Sequence, residues 1–279
     1  MDKIVFGLII LFAILALIPL TWLIFDLFTK GYKQINFDFF TQVSPTPLEA
    51  YLSQSGKQVI PGGILNGISG SFLVVVIAAA IAVPLGILGG LFMYDNYSPR
   101  FSNFFHYLIF SMLGVPPVII GIVVYLWIVE PFHGFSAFAG GISLAIVMLP
   151  MIIYTTYKAL ETIPKNIKED GAVLGGTYTG IIFRIVLPAV RNKIISGILT
   201  AISRAVGITS PLIITALGAP EINWNIDRPV STVSILIWNF FNNSDMVDMV
   251  WTSALFLFLT VIVLNIIAKG IYYGQRLHT

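Results

Sequence analysis

One arginine is notable because it lies inside an otherwise apolar stretch of the sequence. Arg204 follows Asn192 by twelve residues within the apolar run 192–217. Small hydroxylated residues accompany it, namely Thr200, Ser203, Thr209 and Ser210. A fixed positive charge beside neutral hydrogen-bond donors can bind an oxyanion. An arginine at the bilayer centre costs about 2.5–3.5 kcal/mol, so we interpret these five residues as a substrate pathway. The alternative is an ion pair between helices that does not touch substrate.

Spacing gives this arginine a depth and a face. A continuous helix from Asn192 would place Arg204 about 18 Å along its axis, near the middle of a bilayer. Residues on the same stripe of that helix would be Gly197, Thr200, Ile208, Pro211 and Thr215. The acidic residues nearest the apolar runs, Asp26, Asp95 and Glu130, stand at their ends. Another subunit, water or a substrate anion must therefore balance the charge of Arg204.

Other chemistries lack the residues that they need. The chain has no cysteine and none of the H-E-x-x-H, G-x-S-x-G or G-x-x-x-x-G-K-[ST] patterns. We therefore expect no metal site and no enzyme activity, and ATP hydrolysis would have to come from a separate subunit. A secondary transporter is the rival class, but proton coupling requires ionisable residues at depth. The histidines, at positions 106, 133 and 278, lie near interfaces or in the tail.

The composition predicts an all-α, polytopic membrane protein with six transmembrane helices. The chain is 57% hydrophobic and 10% charged, whereas soluble domains carry about 25% charged residues. Six apolar runs are long enough to cross about 30 Å of hydrocarbon, and the first should remain as an anchor. The runs are 4–28, 69–94, 104–129, 135–157, 192–217 and 250–272.

The distribution of positive charge predicts cytoplasmic N- and C-termini. With that orientation, ten Lys and Arg residues fall in cytoplasmic segments and four fall outside, at Lys30, Lys33, Lys57 and Arg228. Two further segments interrupt the simple pattern. Gly114 to Pro117 should bend the third span. The apolar segment 230–241 is too short to cross, so it is either an interfacial anchor or a re-entrant helix.

A polar segment, 165–189, separates the fourth and fifth apolar runs. We expect a short helix that ends at Gly175 and Gly176, with residues 163, 167, 173 and 174 along one side. Thr177 or Thr179 should cap a second helix, which Pro188 would disturb after residue 186. The residues that define this segment are Glu169, Asp170, Gly171, Gly175, Ile185, Leu187 and Pro188. Two short helices around a sharp turn would form a rigid knob.

The spacing from Glu169 through Gly175 to the Ile-x-Leu-Pro ending resembles the EAA loop of ABC importer permeases, by which a membrane subunit grips its ATPase. Two other stretches are similar to the PstA-type permeases of phosphate importers: GGILNGISGS at 62–71 and RAVGITSPL at 204–212. Two positions depart from that pattern. Ser71 stands in place of the usual threonine, and Ile208 in place of a glutamate.

The resemblance implies the type I ABC importer permease fold and an ATP-driven, binding-protein-dependent importer. Residues 1–65 would form a first helix and an extracytoplasmic loop, residues 66–273 the transmembrane domain with its coupling loop at 158–190, and 274–279 a cytoplasmic tail. The implied partners are a second, PstC-like permease, a PstB-like ATPase dimer that binds ATP and Mg, and a PstS-like binding protein, without cofactor or nucleic acid. The resemblance implies that the protein lies in the inner membrane and that its substrate is phosphate. Phosphonate, molybdate or sulfate remain alternative substrates.

Overall fold

The computed structural model describes residues 3–55, 60–95, 99–164 and 166–274. Within these ranges the chain is helical, and its only β pairing is an isolated bridge between Leu217 and Val230. Lys165 and all of the predicted tail except Gly274 lie outside the described residues. The helices are α1 Lys3–Gly31, α2 Phe37–Thr41, α3 Pro47–Ser55, α4 Leu65–Asp95, α5 Pro99–Gly114, α6 Pro117–Val124, α7 Ala137–Leu160, α8 Asn166–Val173, α9 Tyr178–Ile181, α10 Leu187–Val206, α11 Ser210–Thr215, α12 Val233–Phe241 and α13 Val247–Gly274.

The described residues contain five helices that are long and apolar enough to cross a membrane, and a sixth span that is broken. The broken span consists of 103–114 and 117–129, which meet at an angle of 96°. Pro116 and Pro117 explain the break, because neither residue has an N–H with which to continue the hydrogen bonds of α5. The six predicted spans are therefore present, with a sharp bend in the third.

The predicted bounds of the fifth span, 192–217, are wrong. The helix already begins at Tyr178, runs through a wide π-helical turn at Ile182–Val186 and ends at Val206. Pro211 supplies a physical reason for that end. It has no N–H to donate to the carbonyl of Gly207, and its ring would clash there, so the chain bends at 207–209 and starts α11.

The core lies between α4, α7, α10 and α11. Its largest fully buried side chains include Leu144, Met148 and Leu212. Close contact between α4 and α7 requires small residues, since a Cβ atom on Gly86 would lie 2.4 Å from Ile152 Cγ2. By contrast, α1 is exposed over most of its length and meets α13 at its C-terminal end, where Gly31 packs on Leu255.

Candidate functional site

The polar segment folds as two helices around a glycine turn. Gly175 has a φ of +81°, which L-residues with side chains rarely adopt. The N–H of Gly175 donates to the Ala172 carbonyl at 3.0 Å, and that of Gly176 donates to the Gly171 carbonyl at 3.0 Å. This pair of bonds is the Schellman motif that ends many helices. The turn predicted at Gly175 and Gly176 is therefore present, and its left-handed geometry favours glycine at position 175.

The second helix starts at a threonine cap, as expected. Thr177 Oγ1 accepts a hydrogen bond from the Gly180 N–H at 3.3 Å, so Thr177, and not Thr179, is the cap. Pro188 disturbs the regular α-helical hydrogen bonding, as expected, but it does not end the helix. The Leu187 N–H donates to the Ile182 carbonyl, five residues back, and this wide turn accommodates the proline within a continuous helix. The second arm of the knob is thus an extension of α10.

Apolar side chains project from the knob. Val173 and Leu174 are 87% and 88% exposed, and Phe183 and Ile185 are 61% and 47% exposed. The prediction that Val173 and Leu174 share a side with Ile163 is wrong, because Ile163 precedes the start of α8 and is buried. A depression of about 620 Å³ lies between the two arms, lined by residues that include Leu174, Phe183 and Ile185. Exposed apolar surface of this kind is typical of sites that contact another protein or the membrane.

Charged groups order the entry to the knob. Lys158 Nζ lies 2.8 Å from Glu161 Oε2, and the Tyr157 hydroxyl donates to Oε1 of the same carboxylate. The bond from Lys158, and next that from Tyr157, lower the pKa of Glu161. The bonds to ionised Glu161 therefore stabilise the folded chain at pH values above the ordinary pKa of the carboxyl. This stabilisation is lost as the pH falls through the lowered pKa. Glu169 and Asp170 lie exposed on α8.

Arg204 lines a cavity of about 210 Å³ at the break between α5 and α6. The cavity walls include Pro116 and Pro117 from the break and Met148 from α7. Met148 lies halfway along α7, so the cavity is at the depth expected for the middle of the bilayer. The other lining side chains are apolar, and among the described residues no carboxylate oxygen lies within 4.0 Å of the Arg204 side-chain nitrogens. The arginine is therefore a charge that this part of the chain does not balance.

The structure places the five residues predicted for the substrate pathway in different surroundings. Ser203 is buried and turned toward α13, where its Oγ accepts from Asn265 Nδ2 at 2.8 Å. Thr200 Oγ1 donates to the Ser196 carbonyl at 2.8 Å. Thr209 and Ser210 follow the break, so they do not share a helix face with Arg204. The predicted stripe from Gly197 to Thr215 is not continuous, because α10 ends at Val206 and α11 begins at Ser210. Of the five residues predicted for the pathway, Arg204 is found among those that line the cavity.

Ile208 lines the same cavity as Arg204. Ile208 and Arg204 are not neighbours one turn apart on a single helix, because α10 ends at Val206, between them. A glutamate at position 208 would place a carboxylate at the cavity wall beside the arginine. Isoleucine in place of the glutamate of the PstA-type pattern therefore removes a possible counter-charge from the cavity.

The short segment 230–241 is packed largely inside the protein. Most of the side chains of α12 are buried, although Trp238 and Phe241 remain exposed. At its start, the Val233 N–H donates to Ser71 Oγ at 2.9 Å, and Ser234 Oγ donates to the Ile208 carbonyl at 3.4 Å. Because Ile208 borders the arginine cavity, α12 begins at the depth of that cavity. This observation favours the re-entrant alternative.

The family assignment rests on a match over most of the chain. Residues 82–275 match the family described as "Binding-protein-dependent transport system inner membrane component". The chain belongs to this family. It is 33% identical to the phosphate transport system permease protein PstA of Haemophilus influenzae, over 99% of this chain and 95% of that protein. It is 30% identical to PstA of Pasteurella multocida, with the same coverage. The sequence resemblance to PstA-type permeases is thereby confirmed.

Solved structures support the fold. A bacterial alginate ABC transporter, in complex with an alginate pentasaccharide-bound periplasmic protein, matches with a TM-score of 0.63 and 17% identity. The match covers 99% of this chain and 95% of that chain. The inward-facing MetNI methionine ABC transporter matches with a TM-score of 0.59 and 14% identity, over 75% of this chain and 93% of that chain. The protein is therefore a multi-pass membrane protein with the fold of ABC importer permeases.

Proposed function

We propose that this chain is a permease subunit of an ATP-driven, binding-protein-dependent importer of inorganic phosphate, and that it forms half of the translocation pathway. The observation that carries the proposal is the two-helix knob around Gly175, with exposed apolar side chains on both arms. The second arm continues into α10, which carries Arg204 near its far end. A force on the knob would thus act on the helix that holds the pathway arginine.

The knob is a surface for an ATPase. Leu174, Phe183 and Ile185 line a depression that could receive apolar side chains of a partner. Glu169 adds an exposed charge on α8. The relatives named PstA are similar to this chain over nearly its full length, and this similarity supports phosphate as the substrate. The Arg204 charge is suited to the same substrate class, since guanidinium groups bind oxyanions through several donors.

The same proposal includes partners and orientation. A PstC-like second permease would complete the pathway, a PstB-like ATPase dimer would bind ATP and Mg, and a PstS-like protein would deliver phosphate from outside. We place the protein in the inner membrane, with both termini and the coupling loop, 158–190, on the cytoplasmic side. Residues 66–273 would form the transmembrane domain, and this chain would carry no cofactor and catalyse no reaction.

Purification and competition test the proposal. The tagged chain should retain a soluble ATPase when its complex is purified from native membranes in mild detergent. Labelled inorganic phosphate should then enter proteoliposomes, and unlabelled phosphate should compete better than sulfate, molybdate or phosphonate. Stronger competition by one of those anions would assign a different substrate to the importer. Absence of any ATPase in a complex that transports phosphate would contradict the importer mechanism.

A further inference from the structure

One carboxylate at the inner end of α4 binds both arms of the knob. Asp95 is the last residue of α4. Its Oδ1 atom lies 2.7 Å from Lys168 Nζ, on α8, and its Oδ2 atom accepts a hydrogen bond from the Tyr178 hydroxyl, at the first residue of α9. The two partners stand on opposite sides of the turn at Gly175. Asp95 therefore joins three segments at a single point.

The position of this carboxylate is unfavourable without its partners. The carbonyl end of a helix carries partial negative charge, which disfavours an aspartate as the last residue. The Asp95 side chain is also only 10% exposed, so water solvates it poorly. Lys168 compensates the charge of Asp95. Its ammonium nitrogen also makes a cation–π contact with the Tyr94 ring, at 3.8 Å from the ring centroid. Lys168 and the Tyr178 hydroxyl therefore compensate a carboxylate that its position would otherwise disfavour.

The opposite end of α4 is joined to the outer segments. Asn66 is 2% exposed, and its Nδ2 atom donates to Ser44 Oγ and to the Ala219 carbonyl, both at 3.0 Å. One turn further along, Ser71 accepts from the N–H of Val233 at the start of α12. From Asn66 to Asp95, α4 runs as one helix for about 44 Å and remains continuous through Pro84. A movement of its inner end would therefore reach the outer segments without an intervening break.

We propose that Asp95 is a positioning residue that clamps both helices of the knob to α4. Displacement of the knob by the ATPase would then move α4 and, through it, α12 beside the arginine cavity. This inference rests on the proposed function, because it assumes an ATPase that acts on the knob. It assigns coupling to a residue outside the loop itself.

The test measures labelled phosphate taken up per ATP hydrolysed by the assembled complex in proteoliposomes. Asp95→Asn should lower this ratio by at least about fivefold, which corresponds to the loss of a typical coupling energy. Tyr178→Phe removes one hydroxyl and should lower it by about two- to fivefold. The exchange of Asp95→Lys with Lys168→Asp restores the ion pair and should recover part of the ratio. Asp227→Asn, an exposed carboxylate in the outer loop, is the matched control and should change nothing.

The outcomes separate the clamp from a structural role. If uptake and hydrolysis fall in parallel, so that the ratio in Tyr178→Phe and Asp95→Asn equals that of the unaltered complex, the clamp is overturned and the importer assignment stands. If Asp95→Asn fails to assemble, Tyr178→Phe decides, because loss of a hydroxyl at a half-exposed ring should not prevent assembly. If the unaltered complex contains no ATPase, the proposed function and the clamp are overturned together.

Discussion

Replacing Gly175 tests whether the shape of the knob matters. Its φ of +81° costs an L-residue with a side chain about 1–2 kcal/mol, whereas a Cβ atom there would meet no heavy atom within 4 Å. The expected penalty is therefore conformational, and it lowers the population of the turn by a factor of about 5–30. Gly175→Ala should reduce phosphate uptake and ATPase retention, and Gly175→Val should reduce them further, because branching at Cβ restricts the backbone more.

Two variants make this prediction specific. Asparagine tolerates the left-handed conformation, so Gly175→Asn should retain most of the uptake. Gly270 in α13 also has open space around its Cβ position but lies within a regular helix, so Gly270→Ala should leave uptake unchanged. The assay compares uptake, ATPase retained after purification and the amount of subunit inserted in the membrane. Equal uptake in the Ala, Val and Asn variants at position 175 would refute the role of the turn.

Further substitutions probe the pathway, the orientation and the cap. Arg204→Gln should reduce phosphate uptake severely while the complex still assembles, because the described chain offers the arginine no carboxylate partner; weaker assembly, at a cost of about 3–5 kcal/mol, would instead reveal an ion pair with another subunit. Ile208→Glu places a carboxylate at the same cavity and should alter the uptake rate but not assembly, and normal uptake in both variants would remove the cavity from the pathway. Single cysteines at Asn166 and Asn225, introduced into this cysteine-free chain, should be labelled from the cytoplasm and from outside respectively; the reverse pattern would invert the orientation. Thr177→Ala removes the cap of α9 at about 1 kcal/mol and should lower uptake less than Gly175→Val, as measured side by side, and a larger loss would contradict the turn as the dominant feature.

Local sequence signals predicted the features of the structure that depend on residues close together in the sequence. A glycine pair predicted the turn at Gly175, because an αL position selects glycine whatever surrounds it. Thr177 was one of two candidate caps, and hydrogen-bond geometry chose it. The apolar runs predicted six spans, since the bilayer requires about 20 apolar residues for each.

Features that depend on tertiary packing were not accessible in the same way. The wide turn that accommodates Pro188 joins the knob to α10, whereas the proline alone indicated only that the helix is disturbed after residue 186. Ser203 was assigned to the pathway from its spacing, but it faces Asn265, a contact that no local pattern encodes. Asp95 stood at the end of an apolar run without an evident role, because its partners lie more than 70 residues away in the sequence.

The central claim is that this subunit carries phosphate inward at the expense of ATP. The most direct measurement is uptake of labelled phosphate into proteoliposomes that contain the purified complex, with ATP and the binding protein supplied separately or together. Uptake should require both and should be unaffected when a pH gradient is imposed or collapsed. Uptake that proceeds without ATP, or that follows the pH gradient, would identify a secondary transporter and contradict the account.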